Sequence, residues 1–596
     1  MGIDEGFFYI AAFFYILSFL LFIRFFIWKR YANKYYWSRK EDISLAYLNY
    51  VAKHKGLPLP FISILIPAKD EAQVVELTLK NILGLDYPKS LFEIIVIADE
   101  REEIRRKEVF EKIFKELFFF ENRSIKGFSH ETKVALSLLN FKNSENGEFY
   151  FKVLSELLRF IEKPFSEEYL DKIEQISRNI LRRSFYSGKS FYFEGIFAIR
   201  SEFPFLGRRE ISYLSSIYAS YLEGFAVLRF DSLNNVSPDL LDSLLPSTKT
   251  ISEKLASEYF HKGYNIKVCE VPINFSGEFP GGFLNFEVKS TKGRALNFGL
   301  KFLSAEAKIV GFYDAESRPS KDVLLYVAER YLTKAEEMPI LQGPLFQVRN
   351  FYNMGLVSRL GGLFKAISHD WYLPIIFKTI PFVGGTNLFV LRSIIEKVSG
   401  FDPSSFTEDL DLGVRSYLIC RKKVEFMPVI STEQTPPLLG GYFNQRLRWA
   451  YGHLEVMGKL KKWSRLYFEL LIKGPLEWLV YQLSGLVVAT MNVIFMLSKL
   501  NLLSSTAVSQ SHYFNLAFTF LNIPYLLFSI YCYNKYEFTF DRNFKPLNEL
   551  PGFEILKLMI SSLLVFLLPL PYTWAIVLKL SGRKLNKWVK TERSTE

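Results

Sequence analysis

Cysteine is scarce in this sequence, with three residues among 596. Cys269, Cys420 and Cys532 are far apart and form no Cys-x-x-Cys pair. This spacing disfavours a disulfide framework or a zinc site and suits a reducing compartment for the soluble part of the chain. The sequence also lacks zinc-finger spacing and a dense Lys/Arg stripe interleaved with aromatic residues. We therefore expect no nucleic acid partner.

The N-terminus lacks the features of a cleaved signal peptide. It carries Asp4 and Glu5 in place of a basic region, and no small-residue cleavage site follows. Residues 7–23 are almost wholly apolar, and with residues 24–28 they are long enough to span a bilayer. Residues 29–40 then carry five basic side chains and no acid. The positive-inside rule places this flank, and the domain after it, in the cytoplasm.

Apolar residues are concentrated at the two ends of the chain. The hydrophobic fraction is 49% and the mean hydropathy is +0.09, which is high for a soluble protein. Three more apolar stretches cover residues 476–497, 513–533 and 555–580, and the last contains Pro569 and Pro571. The tail after them is basic and should stay in the cytoplasm. Three full crossings would place the tail outside, whereas two crossings plus a re-entrant piece broken at the prolines would place it inside. The number of crossings stays open, and we favour a tail on the inside.

The net charge of +12 indicates that the chain binds negatively charged partners. A basic balance of this size suits anionic lipid headgroups or phosphate-bearing substrates.

The middle of the chain opens with a βαβ pattern. Residues 61–67 and 92–98 are short β-branched apolar runs that predict buried strands, and residues 71–83 between them have helical spacing. Asp99 follows the second strand. Ligands bind at the carboxyl ends of strands in such units, so this aspartate is a candidate binding residue.

Residues 101–257 lack this pattern. The stretch is rich in Phe, Glu, Lys and Ser, with helical spacing at residues 103–118 and 166–183. We interpret it as an insertion or subdomain.

A third predicted strand, residues 309–313, is followed by Asp314 and Glu316. Residues two apart in an extended segment face the same way, so the two carboxylates could hold a divalent metal on a diphosphate. The alternative is a solvated turn.

A second acidic run is Thr407-Glu408-Asp409. One carboxylate could take a proton from an acceptor hydroxyl. The alternative is a helix N-terminus, where a threonine cap and acids in the first turn are favourable without any catalytic role.

Residues 445–449 read Gln-Arg-Leu-Arg-Trp. Arginines beside an indole suit a leaving pyrophosphate and a sugar ring. The alternative is a basic and aromatic helix at the membrane interface, within residues 441–473. Both interpretations can hold together.

Six segments, in this order, resemble the family 2 glycosyltransferases, particularly the membrane-embedded, cellulose-synthase-like branch. The resemblance covers residues 61–99 and 283–453, with the flanking apolar segments. The six are IPAKDEAQVVELTLKNILGLDYP, EIIVIADE, STKGRALNFGL, YDAESRP, FVGGTNLFVLRSIIEKVSGFDPSSFTEDLDLGVR and QRLRW.

The resemblance implies an α/β fold, a GT-A (Rossmann-like, nucleotide-diphospho-sugar transferase) catalytic domain with flanking transmembrane α-helices. It implies Asp409 as the catalytic base, and Asp314 with Glu316 as ligands of Mg²⁺ or Mn²⁺. The donor-binding residues it implies are Pro67, Glu71, Asp99, Lys292, Asn297 and Asp314. The acceptor and pyrophosphate residues it implies are Gly385, Thr386, Glu408, Gln445, Arg448 and Trp449.

Three positions depart from the family pattern. Asp99 is followed by Glu100 where the family has a second aspartate. Arg294 stands at a family glycine, and Glu316 replaces the second aspartate of the metal motif. The insertion also separates Asp99 from Lys292 by far more than the family's short connection.

The expected organisation follows the chain from one membrane region to the other. It comprises an N-terminal anchor (1–28), a basic cytoplasmic linker (29–60), the first part of the GT-A domain (61–100), the insertion (101–257), the second part of the GT-A domain (258–440), interfacial helices (441–473), a C-terminal transmembrane region (474–580) and a basic tail (581–596).

The implied function is inverting transfer of a sugar from a nucleotide-sugar, in the family's common case UDP-linked, to a glycan or lipid-linked acceptor. It would take place at the cytoplasmic face of the cell membrane, in contact with membrane lipids. The Gln-x-x-Arg-Trp motif is typical of processive polysaccharide synthesis. Two alternatives stay open: a single glycosylation of a polyprenyl phosphate or glycolipid, and a catalytically degenerate scaffold or transport protein.

Overall fold

The computed structural model describes most of the chain. The described residues are 3–118, 127–143, 147–160, 168–203, 206–225, 236–280, 290–500, 511–542, 545, 552–583 and 585. Part of the segment before Lys292 and most of the predicted basic tail lie outside these residues.

Two β-sheets form the centre of the catalytic region. The larger has seven strands in the order β3-β2-β1-β4-β8-β6-β9, and the smaller has three in the order β5-β10-β7. The strands are β1 (Phe61–Pro67), β2 (Phe92–Asp99), β3 (Asn265–Val271), β4 (Ala307–Phe312), β5 (Arg318–Pro319), β6 (Ile340–Gln342), β7 (Leu345–Phe346), β8 (Leu388–Leu391), β9 (Val424–Phe426) and β10 (Ser431–Thr432).

Parallel pairing dominates one half of the large sheet. β1 pairs in parallel with β2 and β4, and β2 pairs in parallel with β3, whereas β8 runs antiparallel to both β4 and β6. Every residue of β2 is buried, as expected for a strand covered on both faces. The three predicted strands and the α/β class are confirmed. The sequence pattern did not indicate β3, whose residues are only partly buried at the sheet edge.

Helices cover the large sheet and complete its hydrophobic core. They are α2 (Leu45–Lys55), α3 (Val75–Leu83), α11 (Thr248–Phe260), α12 (Lys292–Gly299), α13 (Val323–Lys334), α16 (Arg392–Lys397) and α17 (Glu408–Cys420).

The first of the predicted helices begins later than its spacing indicated. The prediction started at residue 71, but α3 starts at Val75. Asp70 adopts a left-handed backbone with φ 57, and its N–H donates to Glu102 Oε2 at 2.8 Å. A non-glycine residue in that conformation breaks a helix, so residues 68–74 form a turn at the end of β1.

The insertion is helical and has its own hydrophobic cluster, separate from the sheet core. Its helices are α4 (Glu100–Phe118), α5 (His130–Asn143), α6 (Gly147–Phe160), α7 (Glu168–Ser187), α8 (Phe191–Glu202), α9 (Arg208–Phe225) and α10 (Pro238–Leu244). Leu255, inside the predicted insertion, belongs instead to the sheet core. The helical cluster therefore ends before the predicted boundary at residue 257.

The remaining helices flank the catalytic region. They are α1 (Ile3–Tyr35), α14 (Leu356–Ile367), α15 (Leu373–Ile376), α18 (Leu439–Lys459), α19 (Arg465–Leu471), α20 (Glu477–Lys499), α21 (Ser511–Tyr536), α22 (Phe553–Leu563) and α23 (Leu570–Leu580). Arg24 of α1 forms an ion pair with Glu477 of α20. Trp28 stacks on Tyr372 with ring centroids 4.2 Å apart.

One helical segment of the described chain, Ala12–Arg39, is long and apolar enough to cross a membrane, with a mean hydropathy of 1.8. Near the C-terminus, Phe553–Leu563 and Val565–Leu580 pass the same test only as a pair bent by 56°. Such a bend occurs in a broken span or a re-entrant loop, and α23 begins directly after Pro569. The transmembrane role of the other C-terminal helices stays a prediction.

The insertion contains a buried ion pair that we expect to stabilise it. Arg183 Nε donates to Glu194 Oε2 at 2.7 Å, and both side chains are less than 10% exposed, at 8% and 4%. Arg183→Met would leave the Glu194 carboxylate buried without its cation, which costs about 3–5 kcal/mol. Faster amide hydrogen exchange in α7 and α8 would report this loss.

Arg178→Met, on the same helix, is the matched control. Its partner Glu174 is 42% exposed, and pairs of that kind contribute less than about 1 kcal/mol. Equal exchange rates in the two variants would contradict a stabilising role for the buried pair.

Candidate active site

Residues from four separate segments meet beside the carboxyl ends of the parallel strands. β4 leads directly into Tyr313 and Asp314, α12 begins at Lys292, residues 384–386 precede β8, and α17 begins at Glu408. Because the carboxyl ends of parallel strands lie along one edge of a sheet, residues distant in sequence converge there.

The ammonium group of Lys292 lies at the centre of this cluster. Lys292 Nζ donates to Asp314 Oδ1 at 2.5 Å and to the carbonyl oxygen of Gly385 at 2.7 Å. A Cβ added to Gly385 would lie 2.6 Å from Lys292 Nζ and 3.2 Å from Asp409 Oδ2. A larger residue at position 385 would therefore force the lysine and the aspartate away from each other.

The charged groups of the cluster change one another's pKa values. Burial acts to lower the pKa of Lys292, but Asp314, Glu408 and Asp409 raise it above its ordinary value. Burial and the neighbouring Asp409 raise the pKa of Glu408 to about 7, although Lys292 acts in the opposite direction. Burial also raises the pKa of Asp409, again against Lys292. One proton shared by the two neighbouring carboxyls is thus accessible near neutral pH.

The loop that carries Gly385 is fixed by a residue that the sequence did not indicate. Gln342, fully buried at the end of β6, accepts from the Gly384 N–H at 2.7 Å and donates to the Thr386 carbonyl at 3.0 Å. An isolated buried glutamine carries no recognisable pattern in a sequence. Its role is visible only once β6 lies beside the loop.

A chain of buried hydrogen bonds joins the Asp314 loop to α18. The Asp314 N–H donates to Ser317 Oγ at 3.2 Å, and Ser317 Oγ donates to Glu433 Oε1 at 2.7 Å. Gln347 Nε2 donates to Glu433 Oε2 at 3.1 Å, and Arg446 Nη2 donates to Gln347 Oε1 at 3.3 Å. Glu433 therefore connects the segment after β4 with the Gln-Arg-Leu-Arg-Trp segment.

The acidic run at residues 407–409 lies at the start of α17, as the N-terminal interpretation expects. The side chain of Thr407, however, makes no capping hydrogen bond. Asp411 anchors the helix instead, because it accepts from Arg415 Nε at 2.6 Å and from Lys459 Nζ at 3.0 Å. These contacts hold α17 against α18.

The two carboxylates after β4 differ in accessibility. The side chain of Asp314 is 32% exposed, whereas Glu316 is 2% exposed. The expectation of an extended segment is wrong here, because the Ser317 N–H donates to the Asp314 carbonyl at 3.0 Å and closes a turn. The alternation of faces along a strand does not continue through a turn, so the two-residue spacing no longer places the two carboxylates on one side. Burial of Glu316 also differs from a fully solvated turn.

On the predicted donor side, Asp99 is buried and already paired. It accepts from Ser290 Oγ at 2.8 Å and from Arg294 Nη1 at 3.2 Å. Arg294, which stands at the family's glycine position, is fully buried and also donates to the carbonyl of Phe275 at 2.7 Å. The departure from the family pattern therefore serves as a tie between α12, the end of β2 and the loop after β3.

The other predicted donor residues lie apart from the Lys292 cluster. Asn297 donates to the carbonyls of Gly277 at 2.6 Å and Phe401 at 2.8 Å, so its side-chain N–H groups hold two loops together. Pro67 ends β1, and the Glu71 N–H in the following turn donates to Thr248 Oγ1 at 2.8 Å.

On the predicted acceptor side, α18 presents its motif towards the cluster. Gln445 is buried, and the positive charge of Arg448 acts to lower the pKa of Glu408. The ring of Trp449 has Arg446 Cζ at 4.2 Å and Lys365 Nζ at 4.8 Å from its centroid. The structure thus brings Lys292, Asp314, Gly385, Glu408 and Asp409 together, and the positive charge of Arg448 on α18 acts on Glu408.

No group of three His, Cys, Asp or Glu side chains that could hold a metal is found among the described residues. Asp314 nevertheless offers a hard oxygen ligand on an accessible side chain, which suits Mg²⁺ or Mn²⁺ when a substrate diphosphate supplies further oxygens.

Part of this site lies in a segment of the chain that is similar to known glycosyltransferases. Residues 309–534 match the family model "Glycosyl transferase family group 2". The chain is 29% identical over 178 residues to the "Probable glycosyltransferase YdaM" of Bacillus subtilis, covering 28% of this chain and 39% of that protein. It is 25% identical over 222 residues to the poly-beta-1,6-N-acetyl-D-glucosamine synthase of Staphylococcus epidermidis, covering 35% of this chain and 51% of that protein. The matches thus span about half or less of these relatives.

Among solved structures, the chain resembles a mannosyltransferase, PcManGT from Pyrobaculum calidifontis, in complex with GDP-Man and Mn²⁺. The TM-score is 0.37 at 12% identity, covering 88% of this chain and 99% of that one. The similarity to S. aureus TarS has a TM-score of 0.27 at 10% identity, covering 81% of this chain and 54% of that one. The segment that is similar to family group 2, residues 309–534, contains Asp314, Glu408, Asp409 and the residue 445–449 motif.

Proposed function

We propose that this protein is an inverting glycosyltransferase that transfers a sugar from a nucleoside-diphosphate sugar to an acceptor hydroxyl. The observation that supports this most directly is the cluster around Gly385, where a lysine and three acids from separate segments meet at the strand ends. The family match at residues 309–534 supports the same reaction class. A UDP-linked donor is the proposal's default, since that is the common case of the family resembled.

In this proposal Asp409 is the general base. It is half-buried at the start of α17, and its Oδ1 accepts from the Leu410 N–H at 2.7 Å, which fixes the carboxylate. It removes a proton from the acceptor hydroxyl as that oxygen attacks the anomeric carbon from the face opposite the leaving diphosphate. A single displacement of this kind inverts the configuration and needs no covalent intermediate.

Two cations stabilise the leaving group. Lys292 lies beside Asp314 and Gly385, and the positive charge of Arg448 acts on Glu408. A positive charge placed where negative charge develops lowers the barrier, and more so in a site shielded from water. On donor binding, the Lys292 ammonium exchanges part of its contact with Asp314 for the diphosphate.

A divalent metal belongs to this proposal as the cofactor. Asp314 would hold it, with the buried Glu316 as the weaker second ligand. Bound Mg²⁺ or Mn²⁺ offsets the charge of the diphosphate as a Lewis acid. The residues of the chain orient the donor around it, because Ser317, Thr386 and Glu433 fix the loop that carries Asp314.

The membrane and the acceptor complete the proposal. The amphipathic surroundings of α18, its packing against α23, and the apolar helix Ala12–Arg39 support a site held at the cytoplasmic face of the cell membrane. A glycan or lipid-linked acceptor would enter beside Trp449. The poly-N-acetylglucosamine synthase named above is a polymerising relative, which supports processive synthesis over a single transfer.

A degenerate scaffold is the less favoured interpretation. Perturbed pKa values cluster at functional sites, and this cluster keeps two adjacent carboxyls with raised pKa values beside a partly buried lysine.

The first prediction concerns Asp409→Asn. The amide has nearly the same shape but cannot take a proton, so we expect sugar transfer to fall by about 10²–10⁴-fold while nucleotide binding is retained. Released nucleotide in the presence of acceptor measures the first, and calorimetry with UDP measures the second. Asp171→Asn, on the exposed face of α7, is the control and should leave both unchanged. Undiminished transfer in Asp409→Asn would remove this residue from the base role.

The second prediction concerns pH. Because the pKa of Glu408 is raised to about 7, the Glu408–Asp409 pair keeps a proton below that pH and loses it above. We expect kcat/KM to rise about tenfold per pH unit up to about pH 7 and then to level off. Glu408→Gln removes the neighbouring negative charge that raises the pair's pKa, so the inflection should move to lower pH. An inflection that does not move would show that this pair does not control the rate.

The third prediction concerns the metal. Binding of UDP in the presence of Mn²⁺, followed by calorimetry and by the electron paramagnetic resonance of the free ion, should weaken at least tenfold in Asp314→Asn. A smaller loss is expected in Glu316→Gln, since that side chain is 2% exposed. UDP binding that is equally tight with Mn²⁺ and with a chelator would refute a metal role for both residues.

A further inference from the structure

Lys365 is a charged residue beside Trp449, and the reaction above assigns it no role. It lies in the last turn of α14 and is partly buried between α14 and α18. Its ammonium group lies 4.8 Å from the centroid of the Trp449 ring, the indole of the acceptor-side motif. Lys365 therefore faces the same space that the acceptor would enter.

This lysine has no anionic partner. Among the described residues no carboxylate forms an ion pair with Lys365, whose ammonium group instead lies over the Trp449 ring. Arg446, also a cation, lies with its Cζ 4.2 Å from the same ring centroid. Two cations therefore share one indole.

The acids in the neighbourhood are already engaged. Asp409 and Glu433 both act on Lys365 from a distance. Asp409, however, is held by its own helix N–H and lies beside Lys292, and Glu433 accepts from Ser317 and Gln347. Neither carboxylate is available to pair with Lys365.

These neighbouring charges and the burial of Lys365 change its pKa. Burial, followed by the charge of Arg446, lowers the pKa of Lys365 to about 7, while Asp409 and Glu433 raise it only in part. His369, one turn further along, is buried, and burial with Lys365 and Arg446 lowers its pKa. Its Nδ1 accepts from the Leu345 N–H at 3.2 Å, so it supplies no negative charge. The local environment thus favours an added anion over an added cation.

A purely structural role does not account for this arrangement. A cation over an indole stabilises a fold modestly, and Arg446 already supplies that contact. Placing a second, unpaired cation there works against burial. An anionic ligand would offset both the burial and the repulsion.

We propose that Lys365, together with Arg446, binds the phosphate of a phosphate-bearing acceptor beside Trp449. This inference rests on the proposed function, because it names the substrate class of the same site. A phosphate suits the position because it accepts from a lysine without the fork geometry that a guanidinium prefers. The phosphate can belong to a lipid or to a phosphorylated sugar.

The test measures binding to the full chain in lipid nanodiscs saturated with UDP and Mn²⁺. Four probes are compared: farnesyl phosphate, farnesol, glucose 6-phosphate and glucose. We expect at least one phosphorylated probe to bind tenfold or more tightly than its unphosphorylated partner. Preference for farnesyl phosphate assigns a lipid source, and preference for glucose 6-phosphate assigns a glycan source.

Variants distinguish the contribution of Lys365 to phosphate binding from that of other lysines. Lys365→Met should abolish the tenfold preference, and Lys365→Arg should retain most of it, because the charge is kept. Lys378→Met is the matched control: that lysine also lies over a ring, 3.9 Å from the centroid of Tyr31, but it is exposed and outside the site. It should leave the preference intact.

Two results would overturn the inference: equal binding of phosphorylated and unphosphorylated probes by the wild type, or a phosphate preference that survives in Lys365→Met. Binding of UDP is measured separately in each protein. Loss of UDP binding in the wild type would contradict the proposed function itself, whereas normal UDP binding without any phosphate preference would contradict only the role of Lys365.

Discussion

The ammonium group of Lys292, held among three carboxylates beside Gly385, is the interaction on which the candidate active site depends. Asp314, Glu408 and Asp409 come from two chain segments that repel each other when brought together. The partly buried Lys292 ammonium makes their approach favourable, and the missing side chain at Gly385 leaves room for it. The site is therefore preorganised by charge balance before any substrate binds, as electrostatic catalysis requires.

The rest of the catalytic region keeps these groups in register. Gln342 fixes the loop that carries Gly385. Hydrogen bonds through Ser317, Glu433 and Gln347 join the loop that carries Asp314 to α18. Asp411 ties α17 to the same helix. α18 also packs against α23, so the acceptor-side motif is held by the helices that flank the catalytic region.

The helical insertion and the buried Arg294 show how this chain differs from the family that it resembles. The insertion has a hydrophobic cluster of its own and touches the catalytic region through ties such as Glu102 to Asp70 and Thr248. Arg294 pairs with Asp99, which reduces that carboxylate's capacity to bind a nucleotide directly. Both features lie on the donor side, whereas the acceptor side keeps the family's motifs.

The sequence by itself determined the three parallel strands, the helical nature of the insertion and the order of the acidic and basic motifs, because β-branched runs and helical spacing are local properties of a chain. Asp314, Asp409 and Arg448 were predicted from such local patterns, and the structure brings them together. Only the tertiary structure decided that a turn separates Glu316 from Asp314, that Asn297 binds backbone, and that Gln342, Glu433 and Lys365 serve the site. These depend on contacts between residues far apart in sequence, and an isolated glutamine, glutamate or lysine carries no sign of its partner until the chain has folded.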